Sequence, residues 1–474
     1  MDDISTFEAS ALVTAMRNGT LSAEAVMQAT LARIAAVNGP LNAIVSLRGE
    51  DALLAEARAV DDGADRGPLH GLPLAVKDLS NVAGLPTSQG SPAFAGEVAA
   101  EDSLFVARMR AAGAVFIGKT NTPEFGLGSQ TYNPVHGVTV NPYDATRTCG
   151  GSSGGAAVAL AAGMVSLADG SDMMGSLRNP AGWCNVYGFR PSWGRVPREP
   201  GGDMFLHRLS TEGPMARSPA DLALLLTVMA GSHPQVPPVF GPETFAAHGA
   251  IAGTRIGWLG DWGGALPMEE GILPLCETAL AVFEGLGCTV EPVAPPFSRD
   301  ALWDSWTGLR SWALLPGLAP LMEDQQTRGQ FKPEALWEAE RGLALSGADI
   351  QRLSEIRSDW FSTAATLFER YDALVLPTAQ VWPFAHDIAW PRAIAGQPMD
   401  TYHRWMEVVI PASLLGLPAL AVPAGFGDAG LPMEMQLIGR YGDDGGILAL
   451  AGAYHQATRW PQLHPPKFPG EKMT

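Results

Sequence analysis

The sequence predicts an α/β fold built around a covered sheet, and three observations support this prediction. Two short apolar runs flanked by glycine, at residues 72–76 and 114–117, are typical of buried strands. Between them, residues 103–112 have helical spacing and end at Gly113, so the order is strand, helix, strand. Apolar strand-like runs return late in the chain, at residues 373–376, 419–422 and 433–438. We therefore expect one sheet assembled across the whole chain, not separate domains.

The other elements follow from periodicity, taken in chain order. Residues 4–60 have the spacing of helices, beginning with Phe7, Leu12, Val13 and Met16. Ser22 is placed to cap a second helix after the stop at Asn18-Gly19. Further helices are expected at residues 156–168, 222–229, 271–286 and 446–456. A further strand is expected at residues 255–259, after a Pro-rich connection at residues 234–238.

The composition argues against several classes of protein. A formal net charge of −18 disfavours nucleic acid or an anionic membrane as a partner. The four cysteines contain no C-x-x-C pair and the nine histidines show no metal-ligand spacing, so neither a metal nor another cofactor is expected. No apolar run reaches membrane-spanning length, and the opening Met1-Asp2-Asp3 carries no secretory signal. These features predict a cytoplasmic protein.

A glycine-rich run, residues 150–155, precedes the Ala-rich helix and contains Ser152 and Ser153. Its glycines let the backbone approach a ligand closely, and the helix start brings unpaired N–H groups to the turn. A flexible Gly/Ser loop is one alternative. A phosphate cradle is another, but neither the P-loop nor the dinucleotide fingerprint occurs here. G-x-S-x-G centred on Ser153 matches the nucleophile elbow, yet residues 147–149 make a poor preceding strand.

A second block, residues 171–178, contains another serine in a glycine context, Ser176. Ser176 would attack an amide carbonyl from a turn whose consecutive backbone N–H groups could stabilise the developing oxyanion. The residues that offer these N–H groups are Met173, Met174, Gly175 and Ser176.

Lys77 follows the apolar residues 74–76 and is a candidate base. An ordinary lysine, with a pKa near about 10.4, is protonated at neutral pH. Burial can lower a lysine pKa by up to about 3–5 units, and the sequence places Lys77 where burial is expected. With Ser152 as relay and Ser176 as nucleophile, Lys77 would complete a site that hydrolyses an amide without histidine.

Taken together, these residues identify the chain as similar to the amidase signature family, whose members hydrolyse amide C–N bonds with a Ser–Ser–Lys triad. The resemblance covers most of the chain, and its blocks occur in the family's order. Those blocks are residues 71–78, 118–125, 141–142, 150–155, 172–180, 188–191, 376–378, 416–419 and 436–440.

The resemblance implies a central mixed β-sheet covered by α-helices on both faces. It implies that Ser176 is acylated, that Ser152 is the bridging serine held by a cis peptide bond, and that Lys77 is the base. It assigns supporting roles in bracing the loops to Ser153, Asp172 and Arg178. It is also compatible with a homodimer.

The chain departs from the family pattern at three positions. Met174 stands where most relatives have glycine, which would narrow the acyl pocket while leaving the backbone N–H in place. Cys149 precedes the glycine pair and is interpreted as a small buried hydrophobe, with a reactive thiol as the alternative. Ser413 replaces a common asparagine, without a firm explanation from the sequence.

The walls of the substrate pocket are predicted from position alone. Phe125, Tyr132 and Met174 are the candidate pocket residues. Eight of the thirteen tryptophans lie between Trp303 and Trp405, where core packing is the first interpretation and an aromatic substrate entrance is the second.

Three functions are therefore weighed. The first is a stand-alone amidase, a hydrolase of linear amide C–N bonds that acts on a small apolar or aryl carboxamide through an acyl-enzyme at Ser176. The second is the glutamine-hydrolysing amidase subunit of a tRNA-dependent amidotransferase, and the third is a non-catalytic binding protein on the same scaffold. The expected organisation is a single domain over residues 1–474. Its parts are a helical segment at 1–65, a signature core at 66–230, a variable substrate-entrance region at about 235–400 and a C-terminal return to the sheet at 401–474.

Overall fold

A computed structural model of the chain describes residues 6–64, 67–237 and 239–468. Predictions made for residues 1–5, 65–66, 238 and 469–474 lie outside these ranges. Within them, no helix is long and apolar enough to cross a lipid bilayer.

Helices occur along the whole described chain. They are α1 (Ala9–Arg17), α2 (Ala23–Leu41), α3 (Glu50–Asp61), α4 (Leu104–Ala111), α5 (Gly154–Ala161), α6 (Arg178–Cys184), α7 (Pro219–Met229), α8 (Ile272–Gly285), α9 (Arg299–Leu318), α10 (Gln325–Arg328), α11 (Pro333–Ala344), α12 (Gly347–Arg370), α13 (Ile410–Leu415), α14 (Asp444–Thr458) and α15 (Trp460–Leu463). The predicted N-terminal helices are confirmed, and Ser22 caps α2 by accepting a hydrogen bond from the Ala25 N–H at 3.0 Å.

Strands also occur along the whole described chain. They are β1 (Ile44–Val45), β2 (Pro73–Lys77), β3 (Val115–Thr120), β4 (Tyr132–Asn133), β5 (Gly137–Val138), β6 (Leu167–Asp172), β7 (Tyr187–Arg190), β8 (Thr211–Ala216), β9 (Arg255–Trp258), β10 (Thr289–Pro292), β11 (Ala373–Pro377), β12 (Ala393–Ile394), β13 (Gln397–Pro398), β14 (Ala419–Phe426) and β15 (Pro432–Gly439).

Eight strands form a mixed sheet in the order β10-β9-β11-β15-β14-β7-β8-β6. The pairs β10–β9 and β9–β11 are parallel, and the remaining pairs are antiparallel. All eight residues of β15 are buried. Because successive side chains of a strand point to opposite faces, both faces of the sheet are covered there. The helices α6, α8 and α14 pack against β14 and β15, and the predicted fold class is confirmed.

The prediction of one continuous sheet is wrong for the strands expected at residues 72–76 and 114–117. β2 and β3 pair with each other in a separate sheet of order β1-β3-β2. The two sheets meet where the Lys77 backbone N–H donates to the Asp169 carboxylate on β6, at 3.2 Å to Oδ1 and 3.4 Å to Oδ2. A side-chain carboxylate takes the donor that a backbone carbonyl would take in a continuous ladder, so the sheets touch without merging.

The helix predicted over residues 156–168 ends early. α5 stops at Ala161, and Gly163 takes a left-handed φ of 69°. The Gly163 N–H donates to the Leu160 carbonyl at 3.1 Å and the Met164 N–H to the Ala159 carbonyl at 2.8 Å. These two bonds form a Schellman motif. Its left-handed position is usually glycine, because glycine has no Cβ that would make this conformation costly. The residues beyond it enter β6, a strand that the apolar run concealed.

The tryptophan-rich region packs mainly as core. It forms the helices α9, α11 and α12, and Trp306 and Trp360 are fully buried. Core packing is therefore confirmed for these two side chains. The eight-stranded sheet takes strands from the predicted signature core, the variable region and the C-terminal return alike. The exact domain boundaries stay a prediction.

Candidate active site

Lys77 ends β2 and reaches a cluster of hydroxyl groups. The residue is 1% exposed. Its Nζ lies 2.7 Å from Ser152 Oγ, 2.9 Å from Ser153 Oγ and 3.0 Å from Ser171 Oγ. A neutral amine can accept the proton of one hydroxyl through its lone pair while it donates to the other two. The structure thus brings the predicted base and the predicted relay into direct contact.

Burial makes Lys77 easier to deprotonate than an exposed lysine. Burial lowers the pKa of Lys77 to about 8, although the nearby carboxylates of Glu212, Asp169 and Asp172 oppose the shift. Glu212 is the partner of Ser171 in the β6–β8 ladder, so its side chain lies on the same face as the Ser171 hydroxyl. Burial raises the pKa of Glu212 as well. Burial also raises the pKa of Asp169, to about 6.

The loop that carries Ser152 is held from behind by hydroxyl groups. The Gly151–Ser152 peptide bond is cis, as the family resemblance implied. Thr131 Oγ1 donates to the Gly150 carbonyl at 2.7 Å, and the Gly151 N–H donates to Ser129 Oγ at 3.1 Å. A Cβ at Gly151 would lie 3.0 Å from Thr131 Oγ1, so any larger residue would press against this hydroxyl group.

The loop that carries Ser176 is organised by a buried carboxylate. Asp172 accepts hydrogen bonds from the Gly175 N–H at 2.8 Å and from the Leu177 N–H at 3.2 Å. Arg178 binds both carboxylate oxygens at 3.0 Å. Burial would raise the pKa of Asp172, but Arg178 and the neighbouring Arg190 outweigh it and hold that pKa well below its usual range. The predicted bracing pair is therefore present as an ion pair.

The predicted oxyanion hole needs one correction. The Gly175 N–H is taken by Asp172, so it does not face a substrate. In the described part of the chain no acceptor is recorded for the N–H groups of Met173, Met174 and Ser176. Gly175 has a different role, because its φ of 81° turns the loop and a Cβ there would lie 3.0 Å from Val409.

Ser152 and Ser176 line the same cavity, which has a volume of about 170 Å³. Its wall combines apolar side chains with serine hydroxyl groups and one arginine. The lining residues are Leu79, Phe125, Gly126, Leu127, Gly128, Ser152, Ser171, Met173, Met174, Ser176, Ser210, Arg310, Leu314 and Met406. The two predicted serines, Met174 and Phe125 are thus brought together, and Ser176 itself is 9% exposed.

Tyr132 is not brought to this cavity. It lines a neighbouring cavity with Trp337 and Trp390, so its assignment to the pocket of Ser176 is corrected. The short hairpin β4–β5 carries Tyr132, while Phe125 lies in the turn before it at a φ of 55°. Proximity in sequence therefore did not translate into a shared wall. The tryptophans at 303, 306 and 312 are also absent from the lining of the cavity.

Met174 and Met173 contact side chains of α9 through their sulfur atoms. Trp306 Nε1 donates to Met174 Sδ at 3.2 Å, and Arg310 Nη1 donates to Met173 Sδ at 3.1 Å. The tryptophan-rich helix thus supports the wall from behind, at a distance of more than a hundred residues along the chain.

The structure also explains two of the departures from the family pattern. Ser413 Oγ accepts a hydrogen bond from Arg178 Nη2 at 2.6 Å, so it belongs to the bracing of the Ser176 loop. Cys149 is fully buried, and burial raises the pKa of its thiol to about 12. That environment fits a small hydrophobe, not a reactive thiolate.

Sequence reasoning missed Ser171, Asp169 and Ser129 as members of the site. The signal for the first two was strand alternation. Asp169 and Ser171 are two residues apart on β6 and therefore share a face, and one binds the backbone of Lys77 while the other binds its side chain. Among the described residues, no group of three or more His, Cys, Asp or Glu side chains could hold a metal ion.

Comparison with known proteins gives consistent relatives. The family model described as Amidase matches residues 25–448. The chain is 36% identical to a Glutamyl-tRNA(Gln) amidotransferase subunit of Chloroflexus aurantiacus, over 95% of this chain and 96% of that protein. It is 34% identical to an acylamidase of Rhodococcus erythropolis, over 96% of each chain. A solved bacterial aryl acylamidase of the amidase signature family superimposes with a TM-score of 0.89 at 28% identity, covering 98% of this chain and 99% of that one.

Proposed function

This chain belongs to the amidase family and is a hydrolase of amide C–N bonds, and from that premise we propose that it acts alone on a small carboxamide with a largely apolar acyl group. The observation that carries the proposal is the 2.7 Å contact between Lys77 Nζ and Ser152 Oγ beside the cavity that Ser176 lines. Ser176 would be the nucleophile, Ser152 the relay and Lys77 the base.

The first step is activation of Ser176. Neutral Lys77 accepts the proton of Ser152, which in turn takes the proton of Ser176 as the Ser176 oxygen attacks the substrate carbonyl. The lowered pKa of Lys77 supports this role, since a base works best when its pKa lies near the working pH. Because two protons move together, no free alkoxide has to form before the attack.

The second step is stabilisation of the tetrahedral intermediate. Its oxyanion would accept from the N–H groups of Met173, Met174 and Ser176. Fixed backbone donors usually supply the largest electrostatic part of acyl-transfer catalysis. The Asp172 carboxylate supports them by fixing the turn through the Gly175 and Leu177 N–H groups.

The third step releases the amine and then the acid. Protonated Lys77 returns its proton through Ser152 to the leaving nitrogen, and the C–N bond breaks to leave an ester on Ser176. A water molecule, deprotonated along the same path, attacks that ester, and the carboxylic acid leaves as Ser176 recovers the proton taken from the water. The acid then loses its own proton to solvent and becomes the carboxylate.

The walls of the cavity support an apolar acyl group. Leucine, phenylalanine and methionine side chains form half of the lining, and the volume of about 170 Å³ suits a small group. Ser153, Asp172 and Arg178 would act as supports of the loops, and Phe125 and Met174 as walls. The homodimer suggested by the resemblance stays a prediction.

A second candidate is a glutamine-hydrolysing component of a tRNA-dependent amidotransferase, because a protein of that kind is 36% identical over 95% of this chain. The assay that separates the two candidates is turnover of aliphatic amides, aryl amides and glutamine by the purified chain without added partners. Turnover of apolar amides supports the stand-alone amidase. Turnover of glutamine alone would favour the second candidate.

Replacement of Ser176 by alanine tests the nucleophile. S176A should lower kcat/KM for any accepted amide by at least about 10⁴-fold, because no covalent intermediate can form. It should also abolish labelling by a fluorophosphonate. S210A is the matched control, since Ser210 lines the same cavity but is not among the described hydroxyl groups that contact Lys77, and it should keep the label. Labelling of S176A would contradict the assignment.

A further inference from the structure

We propose that Arg310 binds an uncharged hydrogen-bond acceptor in the acyl group of the substrate. Preferred substrates would then be carboxamides whose acyl group carries a ketone, amide or ether oxygen beyond the scissile amide. This inference rests on the proposed function, because it assumes that the acyl group enters the cavity of Ser176.

Among the described residues that line that cavity, Arg310 is the one that carries a charge. It lies on α9 and is 3% exposed, so its guanidinium is held within the protein wall and not in solvent. A buried charge has to be compensated by close partners. Those partners, and the N–H donors of the guanidinium that they leave unused, indicate what else Arg310 can bind.

The guanidinium has donors to spare. It offers five N–H groups. Nε donates to Glu338 Oε1 at 2.8 Å, Nη2 to the Tyr402 hydroxyl at 2.9 Å and Nη1 to Met173 Sδ at 3.1 Å. No acceptor for the other two N–H groups is recorded among the described residues. A thioether is also a weak acceptor, so an oxygen atom from a ligand would be a better partner than the sulfur of Met173.

The charge balance selects a neutral acceptor over a carboxylate. Glu338 is fully buried and already neutralises Arg310, while its second oxygen accepts from Ser311 Oγ at 2.5 Å. A substrate carboxylate would add a second buried anion next to Glu338 without a second cation to balance it. A ketone or amide oxygen would gain a charge-assisted hydrogen bond without that penalty.

The position of Met173 relates this acceptor to the reacting carbonyl. The backbone N–H of Met173 is one of the donors of the proposed oxyanion hole, while the Met173 sulfur contacts Arg310. An acyl group that reaches from the oxyanion hole along the Met173 side chain therefore meets the guanidinium. Recognition would concern the acyl side of the substrate, since Arg310 and Ser176 line one cavity.

Three amides of matched shape test the proposal. Levulinamide carries a ketone, isocaproamide replaces that ketone by a branched alkane, and succinamate replaces it by a carboxylate. The same three end groups are also tested on an acyl chain one methylene longer, in case the shorter chain does not extend as far as Arg310. We expect kcat/KM of the native enzyme to be about tenfold or more higher for the ketone than for the alkane, with the carboxylate lowest. A preference for succinamate, or equal values for ketone and alkane at both lengths, would overturn the proposal.

Variants assign the preference to Arg310. R310M should bring the ratio of ketone to alkane to about one, while R299M, which removes an arginine of the same helix that pairs with Glu407, should leave the ratio unchanged. E338Q keeps Arg310 but removes the balancing charge, so the value for succinamate should rise relative to levulinamide. This variant keeps the proposal testable if R310M does not fold. An unchanged ratio in R310M, or an unchanged profile in E338Q, contradicts the assignment.

Binding separates this proposal from the proposed function. Calorimetry with S176A should show tighter binding of levulinamide than of isocaproamide, and the double variant with R310M should lose the difference. If the native enzyme hydrolyses all three amides without preference, the acceptor role fails and the amidase stands. If it hydrolyses none of them but S176A still distinguishes the ketone through Arg310, the acceptor role stands and the proposed substrate class fails.

Discussion

At the scale of the residue, the proposed mechanism makes its unusual demand on Lys77, which would have to be neutral while it is surrounded by carboxyl groups. Burial meets this demand by lowering its pKa to about 8, although Glu212, Asp169 and Asp172 favour the charged form. Three hydroxyl groups around Nζ replace water as hydrogen-bond partners. Because hydroxyl groups both donate and accept, they can serve the amine and the ammonium in turn, which a proton relay requires.

A pH profile tests this role. The reactive form of Lys77 is the deprotonated one, so kcat/KM should fall roughly tenfold per unit as the pH drops below about 8 and level off above it. K77M should lose about 10²- to 10⁴-fold in kcat/KM. K119M is the matched control, because burial also lowers the pKa of Lys119 to about 8. The Nζ of Lys119 donates to Thr87 Oγ1 and does not contact Ser152 or Ser176. The folded K119M protein should keep the native profile, and a loss of the rise near pH 8 in that variant would contradict the assignment.

At the scale of the element, the contact between β2 and β6 positions the base. β2 ends at Lys77, and β6 supplies Asp169 to its backbone and Ser171 to its side chain. The two strands belong to different sheets, so Lys77, the proposed base, lies on a seam that is held by side chains. A seam of this kind needs a specific acceptor, because the N–H of Lys77 would otherwise be buried without a partner.

The seam predicts a difference between two substitutions of Asp169. D169A leaves the buried Lys77 N–H unpaired and should lower the free energy of unfolding by about 1–3 kcal/mol, with a loss of activity. D169N retains an acceptor oxygen and should lose less of both. Urea unfolding together with kcat/KM measures the two effects. Equal losses in the two variants would mean that the charge of Asp169, and not its hydrogen bond, is what matters.

The secondary-structure elements also show which features could be predicted from the sequence and which could not. Helix caps and strand runs were predictable because their signals are local, as Ser22 and the apolar residues 419–422 show. The early end of α5 was not seen, because the apolar run passes through Gly163 without a break in composition. The contact of Lys77 with Ser152, and the cavity that Ser152 shares with Ser176, were predictable from motif blocks. The Gly175 N–H was misassigned because the bracing role predicted for Asp172 did not specify which backbone N–H groups its carboxylate would bind.

At the scale of the whole molecule, the C-terminal strands hold the large sheet together. β14 and β15 lie in its centre, with β9, β10 and β11 on one side and β6, β7 and β8 on the other. The strands synthesised last therefore join the two halves that precede them. Contacts such as Trp306 with Met174 and Tyr402 with Arg310 also bridge distant parts of the chain. Long-range partners of this kind leave no local signal, which is why Tyr132 and the support of Met174 could not be placed from the sequence.

The docking of the final long helix provides a test of this central role. Asp444 begins α14 and is fully buried. It accepts from the Ser192 N–H at 2.7 Å and from Arg195 at 2.9 and 3.0 Å, so it ties the C-terminal return to the segment after β7. D444A would leave the Arg195 guanidinium buried, with the half-exposed Glu243 as its remaining ion-pair partner among the described residues. We expect the free energy of unfolding to fall by about 3 kcal/mol.

The neighbouring Asp443 is the matched control. It caps the same helix by accepting from the Gly446 N–H at 3.1 Å. D443A should therefore lower the free energy of unfolding by only about 1 kcal/mol. D444A should lower the urea midpoint of unfolding. Because the central strands belong to both halves of the sheet, fluorescence and circular dichroism should still report one coincident transition. Separate transitions for the two halves would show that each is stable without the C-terminal strands between them, and the single-domain prediction would then be wrong.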